Sequence, residues 1–490
     1  MLSEKSQTIA DQIFSNDFFK NLDKNTLLQK YDVSGAIDDI NAVTRSFSGQ
    51  NPQPQDGFVI SDIPPNGIII TQSGTYRFAN SIKWKAENGD GSAIVINADH
   101  VVLDMAGFSL TADITDNSKL IVGINVQNAQ FVSIQNGILK NMCYYGIYAK
   151  SVFELTIDSI MVDGLSFNNL TKGLSPAGIL IFDGANLAIS SCLVKNLNVI
   201  SGASAGIQIV CAKNGTVSDC SMESFVNNDG SVQGYSYLLS SKITTKNCIS
   251  ANFQSHFNGN TATLGHTVLG FIPILCIALV YENCNATNMT GCCDDCHGMS
   301  VFLDTDIEVN GFTADGVTDG VALSNSGAKA TGLEVYGSIV SIKNCTVKNI
   351  KAINPQDKQS AGFSVAGTAV SFTNCKAENV IVTDAKGTIN PELGYGTGFG
   401  WAPDPRPEFV DIYANDILYR NCISTNCQVG FDTWNHIDSV WDDVSCINCG
   451  IEILAEPNGI RTLSGNPCSE CNPPITVQIT NVACGNNYVA

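Results

Sequence analysis

The chain has 490 residues, 44% of them hydrophobic and only 15% charged, with a formal net charge of −20 at pH 7. That acidic balance excludes nucleic acid and anionic membrane surfaces as partners, because a polyanion would be repelled by both. A large apolar share with few charges suits stacked strands around a dry interior, clothed outside by Asn, Ser, Thr and Gly.

In chain order, residues 1–57 form the first part. Ser3 is placed to cap a helix, and Ile9, Ile13, Phe14 and Phe18 recur at helical spacing, followed by Leu27, Leu28, Ile37, Ile40 and Val43. These amphipathic helices are expected either to cap the open edge of the body that follows, an edge that would otherwise template aggregation, or to serve attachment or oligomerisation. No secretory signal opens the chain, which leaves a cytosolic, virion-packaged or non-classically exported location open. The linker is Asn51–Asp56, NPQPQD.

Residues 58–490 read as one repetitive body, with an opening cap over 58–92 and a Cys- and Pro-rich closing cap over 450–490. Its organising stretch is Ala93–Leu110, AIVINADHVVLDMAGFSL, in which two alternating runs are separated by Ala98, Asp99 and His100. Alternation predicts two strands and a tight corner, with Ile94, Ile96, Val102 and Leu103 facing an interior. The same pattern returns as VGINVQNAQFVSIQNGILKN, AGILIFDGANLAISSCLVKN, AGIQIVCAKNGTVSDCSMES and AGFSVAGTAVSFTNCKAEN. Aligning the corner gives Gly107, Gly137, Ile160, Cys192, Cys220, Cys248, Cys284, Phe312, Cys345, Cys375, Cys422 and Cys446, hence about twelve rungs. Variable spacing between them means rungs of fixed length carrying loops of variable length.

Ser73–Leu110, with SGTYRF, AIVINA and VVLDMAGFSL in that order, resembles the opening of right-handed parallel β-helix proteins of the pectin-lyase-like superfamily. The resemblance covers Ile60 to Val482 and implies an all-β solenoid. It is nearly silent about chemistry, because that superfamily holds lyases, hydrolases, epimerases, tailspikes and structural proteins.

Val268–Val280, VLGFIPILCIALV, is too short to span a bilayer as a helix and contains Pro273, so two buried strands are expected there. Of nineteen cysteines, seven follow an Asn directly, and most fall at the aligned corner. Equivalent residues of stacked rungs lie about 4.8 Å apart, so an internal ladder of reduced thiols is expected. Cys446 and Cys449, followed by Cys468 and Cys471, have the spacing of a structural four-thiolate zinc site; disulfides or plain ladder thiols are the alternative.

Two segments carry candidate chemistry. Cys292–Ser300, CCDDCHGMS, has strings similar to those of polygalacturonase-type glycoside hydrolases, which pair carboxylates to protonate a leaving group and activate water. The resemblance implies Asp294, Asp295 and His297 as catalytic residues, although here the two strings run together rather than lying on neighbouring coils. The second segment joins Glu392–Phe409 to GFDTWNHIDSVWDD. Tyr395, Phe399, Trp401, Trp434 and Trp441 can stack on sugar rings, and Arg406 can meet a carboxylate or oxyanion. There Asp432 with Asp438 or Asp442 are the candidate acid and base, with His436 as proton carrier. An oligosaccharide is the expected ligand for either segment.

The leading functional expectation is a non-catalytic structural or surface protein whose rod presents loops to glycans or partners. The alternative is a carbohydrate-active enzyme, that is, a polysaccharide hydrolase, lyase or epimerase. A third reading is an interaction scaffold that uses the acidic surface.

Overall fold

The computed structural model describes residues 57–489 apart from 88–89, 115, 169–174, 201, 229, 257–266, 293–294, 321–328, 354–359, 390–392, 401–413, 433–435, 438, 455–476 and 481–487. The expected helical segment and its linker lie outside the described residues. Two compact units divide at Phe253 and Gln254. Both are built from parallel strands.

In the first unit each turn of chain lays its strands on those of the turn before. Gly91–Ile96 pairs with Ile121–Gln127, Val101–Asp104 with Gln130–Lys140, and Ile82–Trp84 with Ser109–Ala112. Longer strands run round a corner, so that Tyr145–Asp163 pairs with both Ile121–Gln127 and Gln130–Lys140. Alternation sorts the side chains: Val132, Ile134 and Leu139 are buried, whereas Gln130, Phe131 and Asn136 are exposed. Ile94 and Ile96 face inward as expected, but Val102 does not. Val101 and Leu103 are fully buried and Val102 is half-buried, because His100, at a φ of 57°, turns the chain in a left-handed conformation and resets the alternation.

In the second unit Asp295–Asn310 pairs with Lys329–Lys343, which pairs in turn with Ser360–Thr373. Val268–Ile274 is buried throughout and is followed by Ile277–Glu282, the two strands expected of that apolar run. Gly396–Gly400, within the aromatic-rich segment, is a regular strand paired with Ser360–Thr373. Its glycines mark close approach rather than freedom: a Cβ at Gly398 would strike the Ser424 hydroxyl, and one at Gly396 the backbone of Val380.

The Asn-Cys pairs are explained by the corners. Asn247, Asn283, Asn344, Asn374, Asn421, Asn426 and Asn448 all have φ between 51° and 55°, and each precedes a cysteine. Asn tolerates this left-handed conformation, and the bend drives the next side chain inward. Outside, the amides bond along the stack: Asn374 donates to Asn344 at 3.2 Å and Asn421 to Asn374 at 3.1 Å. Inside, Cys220, Cys248 and Cys345 are buried, and each donates its thiol to the carbonyl two residues earlier, at 3.1, 3.2 and 3.1 Å. Hydrogen bonds with Cys192 and Cys248, together with burial, push the Cys220 thiol up. No cysteine among the described residues is in a disulfide.

The two end members of the aligned ladder do not belong to it. Pairing of Ser109 with Ile138 puts Phe108, not Gly107, beside Gly137, and pairing of Ser424 with Cys446 puts Val444 beside Cys422. The solenoid has about ten turns instead of twelve.

Candidate active site

Adjacent strands of the second unit bring five polar side chains together. In the parallel register Asp295 lies opposite Lys329, His297 opposite Thr331, and Ser300 opposite Glu334. The Glu334 carboxylate is paired with the Lys329 ammonium and accepts a hydrogen bond from the Ser300 hydroxyl at 3.0 Å. His297 sits between two acids, its Nδ1 3.7 Å from Glu334 Oε2 and its Nε2 3.8 Å from Asp295 Oδ1.

Burial separates the roles. The His297, Lys329 and Glu334 side chains are only 3%, 2% and 4% exposed, whereas that of Asp295 is 17% exposed. Lys329 also lies 5.6 Å from the centre of the Tyr336 ring, and its backbone N–H donates to Asp319 at 2.9 Å. The two backbone positions of Lys329 and Glu334 are thus held while their side chains converge.

The cluster is not saturated. His297 Nδ1 and Thr331 Oγ1 are buried and make no hydrogen bond among the described residues. Leaving such a group dry costs about 1–3 kcal/mol, and sites that keep unsatisfied polar atoms are where a ligand or a water is wanted. One more buried acid lies on the same strand. Asp304 is pushed well above the carboxylate range by burial, yet it accepts N–H bonds from Phe302 at 2.8 Å and Cys276 at 2.5 Å across the irregularity that breaks the register between Phe302 and Asp304. Its role is to close that bulge.

The aromatic-rich segment is arranged differently from what the sequence led us to expect. Phe399 is 1% exposed and stacks between Phe363 and Phe431, with centroids 4.8 and 4.9 Å away. Trp441 is fully buried and meets Tyr419 edge-on at 5.6 Å. Both rings therefore fill the interior and offer no face to a sugar, because the corners reset the alternation and carry them inward. His436 is buried with its Nε2 3.0 Å from the Tyr419 hydroxyl, and Asp432 is 2% exposed. Asp442 instead lies at the surface, 3.2 Å from the Arg420 guanidinium. Tyr395 is half-buried just before Gly396–Gly400. Asp294, Trp401, Arg406, Trp434 and Asp438 lie outside the described residues.

Of the four thiols expected to hold zinc, Cys468 and Cys471 lie outside the described residues. Cys446 is 9% exposed, and the half-buried Cys449 donates to the Ser424 carbonyl at 3.6 Å. Among the described residues no group of three or more His, Cys, Asp or Glu side chains is gathered as a metal site, and no helix is long and apolar enough to cross a membrane.

Sequence reasoning had singled out Asp295 and His297 but missed Lys329, Glu334 and Ser300 as their partners. The signal available was weak: a Lys and a Glu in an otherwise apolar run, KATGLEV, that has to be buried on both faces.

No protein-family model and no curated protein matches the chain. Among solved structures, a PL6 alginate lyase in complex with a trisaccharide matches with 10% identity and a TM-score of 0.39, over 93% of this chain and 94% of that one. The catalytic domain of a GH87 alpha-1,3-glucanase in complex with tetrasaccharides matches with 11% identity and a TM-score of 0.36, over 89% and 71%. The periplasmic alginate epimerase AlgG matches with 8% identity and a TM-score of 0.35, over 88% and 78%. The chain itself is an all-β parallel solenoid, the architecture that the Ser73–Leu110 stretch led us to expect.

Proposed function

We propose that the protein is a carbohydrate-active enzyme whose acid–base chemistry is centred on Asp295, His297, Lys329 and Glu334. One observation carries this reading: four ionisable side chains, two acids, a histidine and a lysine, converge on two adjacent strands within ion-pair distance of one another. Burying charges costs several kcal/mol per ion, and a rod that only presents loops has no use for that expense. The cluster therefore reverses the order of the sequence reading, in which the non-catalytic role came first.

The roles follow from position. Asp295, the most exposed member, is placed to meet a glycosidic or ring oxygen as acid or base. His297 can carry a proton between Asp295 and the buried Glu334. Lys329 and Ser300 hold the Glu334 carboxyl group in place, so that charge developing on the His297 ring in a proton transfer meets a fixed partner.

The test is turnover on a panel of neutral and uronic polysaccharides, read both as new reducing ends and as absorbance of unsaturated products. Glu334→Gln and His297→Gln should each lower turnover at least about 100-fold, while circular dichroism shows the solenoid intact. If both variants keep wild-type turnover on a substrate the native protein cleaves, the cluster is structural. If no polysaccharide is converted, the non-catalytic reading returns.

A further inference from the structure

One corner column of the first unit abandons the residues that its backbone favours. The column runs through His100, Phe131, Glu154, Asn186 and Asn214, whose φ values are 57°, 55°, 55°, 55° and 59°. The register sets them one above another, because Phe153 pairs with Gln130 and with Ala185, and Ala185 pairs with Lys213. Past Glu154 the column has the usual solution, an Asn amide ladder in which Asn214 donates to Asn186 at 3.3 Å, and it continues to Lys242 at a φ of 56°. At its near end stand rings and a carboxylate.

Among the described apolar residues of the first unit at positive φ, Phe131 is the most exposed; in the second unit Ile339, at 57° and 55% exposed, is placed likewise. A bulky residue in the left-handed region costs roughly 1–2 kcal/mol relative to one that tolerates it. Other bulky residues with positive φ, such as Leu239, Leu275 and Leu303, recover that cost because they are at most fractionally exposed inside the coil. Phe131 recovers no such burial: it is 42% exposed, and its neighbour Phe153 is 39% exposed. The two rings are 6.0 Å apart at 82°, and the His100 ring stacks on Phe131 at 4.7 Å and 23°. Phe153 thus breaks the stack and leaves an angular aromatic strip at the surface. The three rings are held at the surface on a backbone that a ring does not favour, and a ligand that covered them would offset that cost.

We propose that His100, Phe131 and Phe153 form a binding strip for the apolar face of a neutral saccharide chain. The rings supply C–H stacking, and the surrounding charges choose the sugar. Asp99 and Glu154 flank the strip, and Glu154 is exposed in register with Phe131. Carboxylates accept hydroxyl hydrogen bonds from a neutral pyranose and repel a polyuronate. The strip is independent of the acid–base cluster and lies in the other unit.

The experiment is affinity electrophoresis of the full chain carrying Glu334→Gln, so that nothing is turned over, through gels containing laminarin, dextran, xyloglucan or galactomannan, with polygalacturonate as the anionic comparison. At least one neutral glucan or mannan should retard the protein. Phe131→Asn and Phe153→Ser should each weaken that retardation at least tenfold. Phe131→Asn should at the same time raise the thermal midpoint, because Asn fits the left-handed corner. Absence of retardation by all four neutral polymers overturns the proposal, as does retardation by polygalacturonate that the Phe variants abolish. A Phe131→Asn protein that binds unchanged and melts lower makes Phe131 a packing residue and overturns it equally.

Discussion

His297 and His436 are both buried in the second unit and differ in their company. His297 lies between two carboxylates and beside a Lys–Glu pair. His436 is boxed by Tyr419 and Trp441 and bonds a phenol. Burial alone therefore says nothing about chemistry. What separates the two is the chemistry of the neighbours: two carboxylates and an ammonium gather around His297, a phenol and an indole around His436.

The sharpest way to break this comparison is at Lys329. Lys329→Met leaves Glu334 buried without its cation and should cost about 3–5 kcal/mol in urea unfolding, whereas Lys329→Met combined with Glu334→Leu should recover most of the loss. A single variant of wild-type stability would mean that the pair is solvated in solution, and the site would lose its dry centre. A smaller effect is expected on the other side. Tyr419→Phe removes the hydrogen bond to His436 Nε2, which should cost about 0.5–1.5 kcal/mol while turnover stays unchanged. Lost turnover with intact folding would move the chemistry to His436.

How far the sequence is legible differs between these regions for a physical reason. Alternation and the Asn-Cys corners reveal the solenoid, because each Asn marks a left-handed bend and each following Cys an inward position, as at Asn344 and Cys345. The same corners hide the site. Each bend resets which residues face inward, so Phe399 and Trp441 look like a sugar platform when counted and turn out to be core when placed. Glu334 was invisible because its partners come from elsewhere: Ser300 from the preceding turn, and Lys329 through a side chain that reaches along its own strand.

The corners give the next test. Asn374→Ala should cost about 1–2 kcal/mol from the left-handed backbone, together with its amide bonds to Asn344 and Asn421. Asn374→Gly keeps the conformation accessible and loses only the amide bonds, so it should cost less. If the two variants are equally destabilised, the amide ladder rather than the backbone sets the corner.

The smallest effect is expected where the sequence had placed an acid or a base. The Asp442 and Arg420 side chains are 31% and 51% exposed, so their contact at 3.2 Å is a solvated ion pair. Such pairs contribute about 0.2–1 kcal/mol and weaken with salt. Asp442→Asn should therefore change stability by less than about 1 kcal/mol, and the difference from wild type should shrink further in 1 M salt as the Debye length falls to about 3 Å. Turnover should not change, because the cluster of Asp295, His297, Lys329 and Glu334 is the proposed seat of the chemistry and Asp442 pairs with Arg420. A fall in turnover of about 100-fold or more in Asp442→Asn, at unchanged stability, would give the carboxylate the catalytic part that its surface position denies it and would relocate the active site to the closing turns of the second unit.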